Sequence, residues 1–242
     1  MLKVTTSWDD GDILDKRLAS LLSRYGIRGT FYISKDYRPK RLLEQEILDL
    51  AKVHEIGAHT LTHPDLRTIT PADKKNEING SKQWLETLLG SEVKMFCYPK
   101  GLYDNSVVSA VREAGFLGGR TTELGALTSP NSFLMPTTIQ VYPFPFRHNL
   151  RNFFQPYRRR ATALKLLGVS QFSMYSWLAL TKATFDIALE KGEVFHLWGH
   201  SWEIEKYNMW DDLEKFLKYI AHNKNCTYLT NSEILVRQAH HT

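Results

Sequence analysis

The feature that most restricts how this chain can fold is a repeated exchange between short strand-like runs and helices of roughly 10–15 residues. Residues 3–8 (KVTTSW) read as a strand. Ile13, Leu14, Leu18, Leu21 and Leu22 then fall at helical spacing through residues 13–25, where Gly26 ends the helix. The alternation returns as strand 29–34, helix 42–54, short strand 56–58, helix 71–89, strand 94–97 and helix 104–114. Strands separated by helices of this length predict βαβ units and a parallel sheet, and 242 residues suit one barrel or near-barrel better than two domains. Regularity resumes late in the chain with helix 176–191 and the run 193–200 (EVFHLWGH), whose His196, Trp198 and His200 share one face of a strand. Helix 211–222, strand 227–229 and a helix from Ser232 complete the pattern. Between about 127 and 175 the pattern is lost among Pro130, Pro136, Pro143, Pro145 and Pro156, which reads as an aromatic and basic insertion with at least one helix.

Composition narrows the class further. With 43% apolar residues and a formal charge of +5, the chain is ordinary globular material, which excludes a disordered or fibrous one. Two cysteines, Cys97 and Cys226, are too few for a disulfide framework or a Cys-rich zinc site and read as buried thiols. The opening MLKVTTSWDDGD lacks the basic start, apolar run and small-residue cleavage site of a secretory signal. With no 18-residue apolar stretch either, the reading is cytoplasmic, with the inner membrane surface as an option. Positive charge gathers in residues 147–165, where Arg147, Arg151, Arg158, Arg159, Arg160 and Lys165 stand among Phe153, Phe154 and Tyr157. That cluster suits a solvated helix face, an anionic substrate or a peripheral membrane contact. No recognition motif accompanies it, so no nucleic acid is expected. The sequence does not define an oligomeric state.

Chemistry concentrates in four places. His59 and His63 in AHTLTHP are one helical turn apart, a spacing that would set both imidazoles on one face for a shared cation if the segment turns helically. Asp9 and Asp10 follow the first strand directly, where α/β folds build their sites. Adjacent carboxylates repel unless a cation neutralises one. One aspartate could therefore ligate a metal beside the two histidines while the other acts on water. The competing reading of SWDDGD is an acidic turn in which Asp12 caps the first helix. The third place is FCYPKG at 96–101, a strand end with a Pro-Lys-Gly turn. The fourth is His200 at a strand end, suited to general acid work near neutral pH.

Taken in order, these motifs resemble the polysaccharide deacetylases of the NodB-homology type, carbohydrate esterase family 4. Ser7-Trp8-Asp9-Asp10-Gly11 is similar to the family's T-F-D-D-G, His59-Thr60-Leu61-Thr62-His63 to its H-[ST]-x-x-H, and Val194 to His200 to its strand ending in a catalytic histidine. Cys97-Tyr98-Pro99-Lys100-Gly101 matches R-x-P-x-G only in part. The resemblance implies a deformed, seven-stranded (β/α) barrel. It also implies a divalent metal, zinc or else cobalt, nickel or manganese, on Asp10, His59 and His63, with Asp9 as general base and His200 as general acid. A backbone N–H near Tyr98 would serve the oxyanion, and Trp198 and Trp202 an apolar or sugar-stacking wall. Cys97 stands where the family carries an arginine that orients the base. Arg120 is the candidate replacement, and Glu203 or Glu205 the candidate partner of His200. The implied activity is removal of an N-acetyl group from an amino sugar in a glycan, glycolipid or sugar nucleotide, with an anionic or lipid-linked acceptor suggested by the basic insertion. Hydrolysis of a non-sugar amide or cyclic imide, and a glycan-binding module without turnover, are the other readings.

Overall fold

The computed structural model describes residues 1–128, 131–146 and 154–239. Eight strands, β1 (Leu2–Asp10), β2 (Thr30–Ile33), β3 (Glu55–Ala58), β4 (Met95–Cys97), β5 (Gly118–Arg120), β6 (Ile139–Gln140), β7 (Val194–Gly199) and β8 (Cys226–Tyr228), form one parallel sheet. Seven lie in the order β5-β4-β3-β2-β1-β7-β6, the curved path of a deformed (β/α)7 barrel. β1 is the axis of the fold. One edge pairs Lys3–Trp8 with β7; the other pairs Ser7–Asp10 with β2, and β8 fills the stretch Leu2–Val4 before β2 begins.

Nine helices are described: α1 (Asp15–Arg24), α2 (Glu44–Ala51), α3 (Pro71–Leu89), α4 (Asn105–Glu113), α5 (Gln155–Leu167), α6 (Trp177–Lys191), α7 (Ser201–Lys206), α8 (Trp210–Ile220) and α9 (Asn231–Ala239). Their apolar stripes pack on the sheet, where Trp8, Phe31, Phe96, Phe195 and Phe216 are fully enclosed in the main core. A second cluster holds Tyr32, Met95, Cys97 and Met135. Beside it Thr5 donates to Asn231, and Ser7 meets His196 Nε2 at 2.8 Å, so buried polar groups there are satisfied in pairs.

Three elements depart from the sequence reading. The irregular stretch contains β6 and α5, and residues 135–141 close the barrel: Met135 N donates to Gly119 O, whereas Thr138 N and Val141 N donate to His196 and Trp198 of β7. Two-residue strands carry too little periodicity to be read in advance. α1 starts at Asp15 rather than Ile13, and its N-cap position is Leu14; Asp12 instead accepts from the Leu14 N–H in a local turn. α7 begins directly after His200, with only six residues to signal it. Arg147, Arg151, Phe153, the Arg159 side chain, His240 and His241 lie outside the described residues. Among those described, no helix is long and apolar enough to cross a membrane.

The close approach of residues 132–135 to β5 requires glycine. A Cβ on Gly119 would stand 2.6 Å from the Tyr98 hydroxyl and 2.9 Å from the Phe133 carbonyl oxygen. Gly119→Ala is therefore expected to cost about 2 kcal/mol and lower the thermal midpoint by on the order of 5 °C, read by calorimetry; an unchanged midpoint would show that the closure yields freely.

His54, buried behind β2, accepts from the Gly29 N–H through Nδ1 and meets Ser23 Oγ through Nε2. Burial, aided by the Arg28 charge, pushes its pKa down to about 4 from an ordinary 6.5. Between those values the unfolded chain binds the proton that the folded chain refuses, so this contribution to stability is full above pH 6.5 and lost as pH falls towards 4. His54→Asn keeps an acceptor for Gly29. It should flatten the fall in thermal midpoint between pH 7 and 5, and an identical slope in both proteins would remove His54 as its source.

Candidate active site

Neighbouring residues of a strand point to opposite faces, yet Asp9 and Asp10 both line one pocket. The cause is the backbone of Asp10, whose φ of 86° turns its carboxylate back toward the same side, followed by Gly11 at φ 71°. A non-glycine residue in this region costs on the order of 1 kcal/mol and marks a place where geometry is held by its surroundings. The loop after β3 uses the same device. Residues 59–63 do not form a helical turn; Thr60 and His63 take φ of 66° and 60°, and the imidazoles converge through left-handed turns, not helical spacing.

Glu77 of α3 clamps this loop. Its Oε2 accepts from the Leu61 and Thr62 N–H groups at 2.8 and 2.9 Å, and its Oε1 from Thr62 Oγ1 at 2.6 Å. His59 Nδ1 meets the Cys97 carbonyl at 2.8 Å, which makes Nδ1 the donor and leaves Nε2 facing Asp10. Tyr37 stacks on His63 with centroids 4.0 Å apart. His59 Nε2 and His63 Nε2 stand 3.6 and 3.7 Å from Asp10 Oδ1. Three ligands about 2.0–2.1 Å from one tetrahedral ion would be spaced by much the same distances, so this set fits a divalent cation. Asp9, His59 and Cys97 also cluster, but there Asp9 is committed to Arg120, and burial pushes the Cys97 thiol pKa up. Burial would raise the Asp10 carboxyl, yet the adjacent His59 and the charge of His200 hold it well below its ordinary range. Burial and the neighbouring His59 push His63 down to about 3, which keeps its nitrogen lone pair available.

Arg120 at the end of β5 is wholly buried and pairs with Asp9 Oδ1 through Nη2. Its guanidinium lies between the rings of Tyr32 and Trp198, at 5.2 and 5.0 Å. An arginine thus reaches Asp9 from β5, while Cys97 Sγ lies 3.8 Å from Asp9 Oδ2. His200 Nε2 stands 4.0 Å from both Asp9 Oδ2 and Asp10 Oδ2, and its Nδ1 meets Glu203 Oε2 at 2.7 Å. Burial disfavours the imidazolium, but Glu203 and the two aspartates outweigh it and lift the pKa to about 9. Glu205 turns away to Trp210 and Arg17. Trp202 donates to Asp10 Oδ2 at 2.8 Å and packs near His200, so it supports the carboxylate as well as the wall. Trp198 lines the pocket beside His200. Tyr98 does not: its side chain is fully buried with the hydroxyl on Phe133 O, and its N–H is spent on the Arg120 carbonyl at 3.3 Å. Of the backbone N–H groups near Tyr98 expected to serve an oxyanion, its own is therefore already partnered.

The pocket has a volume of about 610 Å3 and is walled on one side by Gln155, Arg160 and Ala163 of α5. Within the basic cluster, Arg160 turns inward while Arg158 and Lys165 stay exposed. Sequence reasoning missed Tyr37, Glu77 and Gln140, and named Arg160 only as one of a basic cluster. A glutamate buried within the otherwise polar α3 is the one of these with a signal, since an enclosed carboxylate must be satisfied by donors.

The polysaccharide deacetylase family profile matches residues 3–118. Over that span the chain resembles the polysaccharide deacetylases. A Bacillus subtilis relative named as a polysaccharide deacetylase, YxkH, is 28% identical over 144 residues, 58% of this chain and 52% of its own, so the match spans about half the length of that protein. A Mycobacterium smegmatis structure named for the same family superposes with a TM-score of 0.70 at 16% identity, over 99% of this chain and 91% of its own. The Streptococcus pyogenes deacetylase PplD, solved with acetate, gives 0.51 at 20% identity over 55% and 63% of the two chains. These structural likenesses concern the fold. His200, Arg120 and the α5 wall lie beyond the span that the family profile covers.

Substituting Asp10→Asn, His59→Gln or His63→Gln should each weaken Zn2+ binding by calorimetry, by on the order of tenfold or more, because each removes a donor atom of the set. Retention of full affinity by all three would place the cation elsewhere.

Proposed function

We propose that this chain hydrolyses the acetamide of an N-acetylated amino sugar, within a glycan, glycolipid or sugar nucleotide, with the help of one divalent metal. The observation that carries the reading is the position of His200 Nε2, 4.0 Å from the Asp9 and Asp10 carboxylates, beside the Asp10, His59 and His63 donor set. The match of residues 3–118 to the polysaccharide deacetylase profile supports hydrolysis as the reaction class. Two imidazoles and a carboxylate accept zinc, cobalt, nickel or manganese, and availability selects among them. When bound, such a cation supplies Lewis acidity, making water nucleophilic near neutral pH and polarising the acetamide carbonyl.

The chain's own groups divide the proton work. Arg120 occupies Asp9 Oδ1, so Oδ2 is the oxygen that takes the proton of the attacking water. The water oxygen bonds to the carbonyl carbon and the C–N bond breaks. His200 gives its Nε2 proton to the departing amine, and acetate remains. A pKa lifted to about 9 keeps His200 protonated at neutral pH, and Glu203 holds the Nδ1 side of the ring so that Nε2 faces the site. Trp198 and Trp202 offer apolar surface against a sugar face. The buried Arg120 beside Asp9 favours an active site over a binding module, because it stands where it could orient the base in place of the arginine that Cys97 replaces. Arg160 on the pocket wall favours an acceptor with anionic character, such as a sugar nucleotide or a phosphate-linked lipid.

Acetate release from N-acetylglucosamine oligomers and UDP-N-acetylglucosamine tests the reaction. Chelation should abolish it and added Zn2+ or Co2+ restore it. Asp9→Asn should lower kcat by roughly 10²-fold or more, the usual contribution of a positioned base. An Asp9→Asn protein as fast as its parent overturns the base assignment, and glycan binding without acetate release, metal being present, would favour the module.

A further inference from the structure

The partners of His200 do not end at Glu203. Glu203 Oε2, which holds His200 Nδ1 at 2.7 Å, also accepts from Gln140 Nε2 at 3.3 Å. Gln140 in turn presents its Oε1 to Arg160 Nη2 at 2.6 Å. A side-chain amide has two orientations related by a half-turn, one face donating and the other accepting. In the observed one, each face meets its complement. In the flipped one, the carbonyl would face the Glu203 carboxylate and the NH2 would face the guanidinium, so both contacts become repulsive. The orientation of Gln140 is therefore set by Arg160 on one side and Glu203 on the other. Its backbone is fixed as well, because β6 pairs Gln140 with Trp198 of β7, and Trp177 Nε1 donates to the Gln140 carbonyl at 2.8 Å.

We infer that Gln140, clamped by Arg160, is a positioning residue for His200, and that it ties the pocket wall built by α5 to the group that protonates the leaving amine. The inference rests on the reading of His200 as general acid. Glu203 lies on a short helix, and with a single partner its carboxylate could rotate and take His200 with it. The amide donor on the same oxygen removes that freedom. Because Gln140 and Arg160 also line the pocket, an occupant that draws on the guanidinium acts on the same network as the acid.

Gln140→Glu is nearly isosteric but sets a carboxylate against Glu203. It should lower kcat on the order of 10- to 100-fold, as loss of an orienting partner commonly does, a loss larger than the accompanying rise in KM. Gln140→Leu and Arg160→Met should each lower kcat, and the double variant should be no worse than the poorer single, since both interrupt one chain of contacts. The readout independent of turnover is the downfield His200 Nδ1–H proton resonance of the metal-free protein, assigned by its loss in His200→Ala and expected to shift or broaden in Gln140→Glu. If His200→Ala is as active as the parent, the general-acid reading fails. If His200→Ala is inactive while Gln140→Glu keeps the parental kcat and resonance, the positioning role fails alone. Additive losses in the Gln140→Leu, Arg160→Met cycle would also overturn it.

Discussion

Arg120 carries its charge at full burial, between the rings of Tyr32 and Trp198, and the rest of the architecture can be understood from what that charge demands. An ion moved out of water pays a penalty of several kcal/mol unless a counter-charge and hydrogen bonds meet it. Asp9 supplies the counter-charge, and the Thr121 carbonyl accepts from Nη1. This fixes Asp9 at one oxygen and thereby the end of β1. It also explains the glycines of β5. Only a strand without side chains at 118 and 119 lets residues 132–135 pass close enough to close the barrel around the pair.

The same constraint governs the candidate donor set. Asp10 reaches the pocket because its backbone leaves the extended region, and His63 because the loop after β3 does so twice. Those strained turns persist because Glu77 ties the loop by three hydrogen bonds and Tyr37 stacks on His63, contacts that come from separate parts of the chain. Local strain is thus held by distant anchors, the usual arrangement where a site must exist before its ligand arrives.

Periodicity in the sequence was enough for the parallel sheet, because helices such as α3 and strands such as β1 are long enough to show it. The donor set was legible from residue type: two histidines and an acidic pair at strand ends have few uses in common. Periodicity misled at the His59 to His63 segment, where equal spacing came from left-handed turns that residue spacing cannot distinguish from a helix. It was silent on β6 and α7, which are two and six residues long. Arg120 could be nominated because a missing arginine in one motif calls for another on the same rim. Gln140 could not, and Arg160 could be named only as one of a basic cluster, since neither belongs to a motif and their meeting depends on how an irregular segment folds back.

The two halves of the site consequently have different origins in the chain. Asp9, Asp10, His59 and His63 lie within residues 3–118, the span that matches the family profile, and in the proposed reaction they would handle the water and the cation. His200, Glu203, Gln140 and Arg160 come from the remainder, and in the same proposal they would handle the leaving group and whatever adjoins it. A hydrolase can keep the first set constant while the second changes, because attack of water on an acetamide is the same whatever the amine carries. The amine's surroundings differ from one substrate to the next, and under the proposal the wall that would meet them here is the one that also positions the acid. Selectivity and proton delivery would then be altered together by changes in α5, and neither would require any change at the donor set.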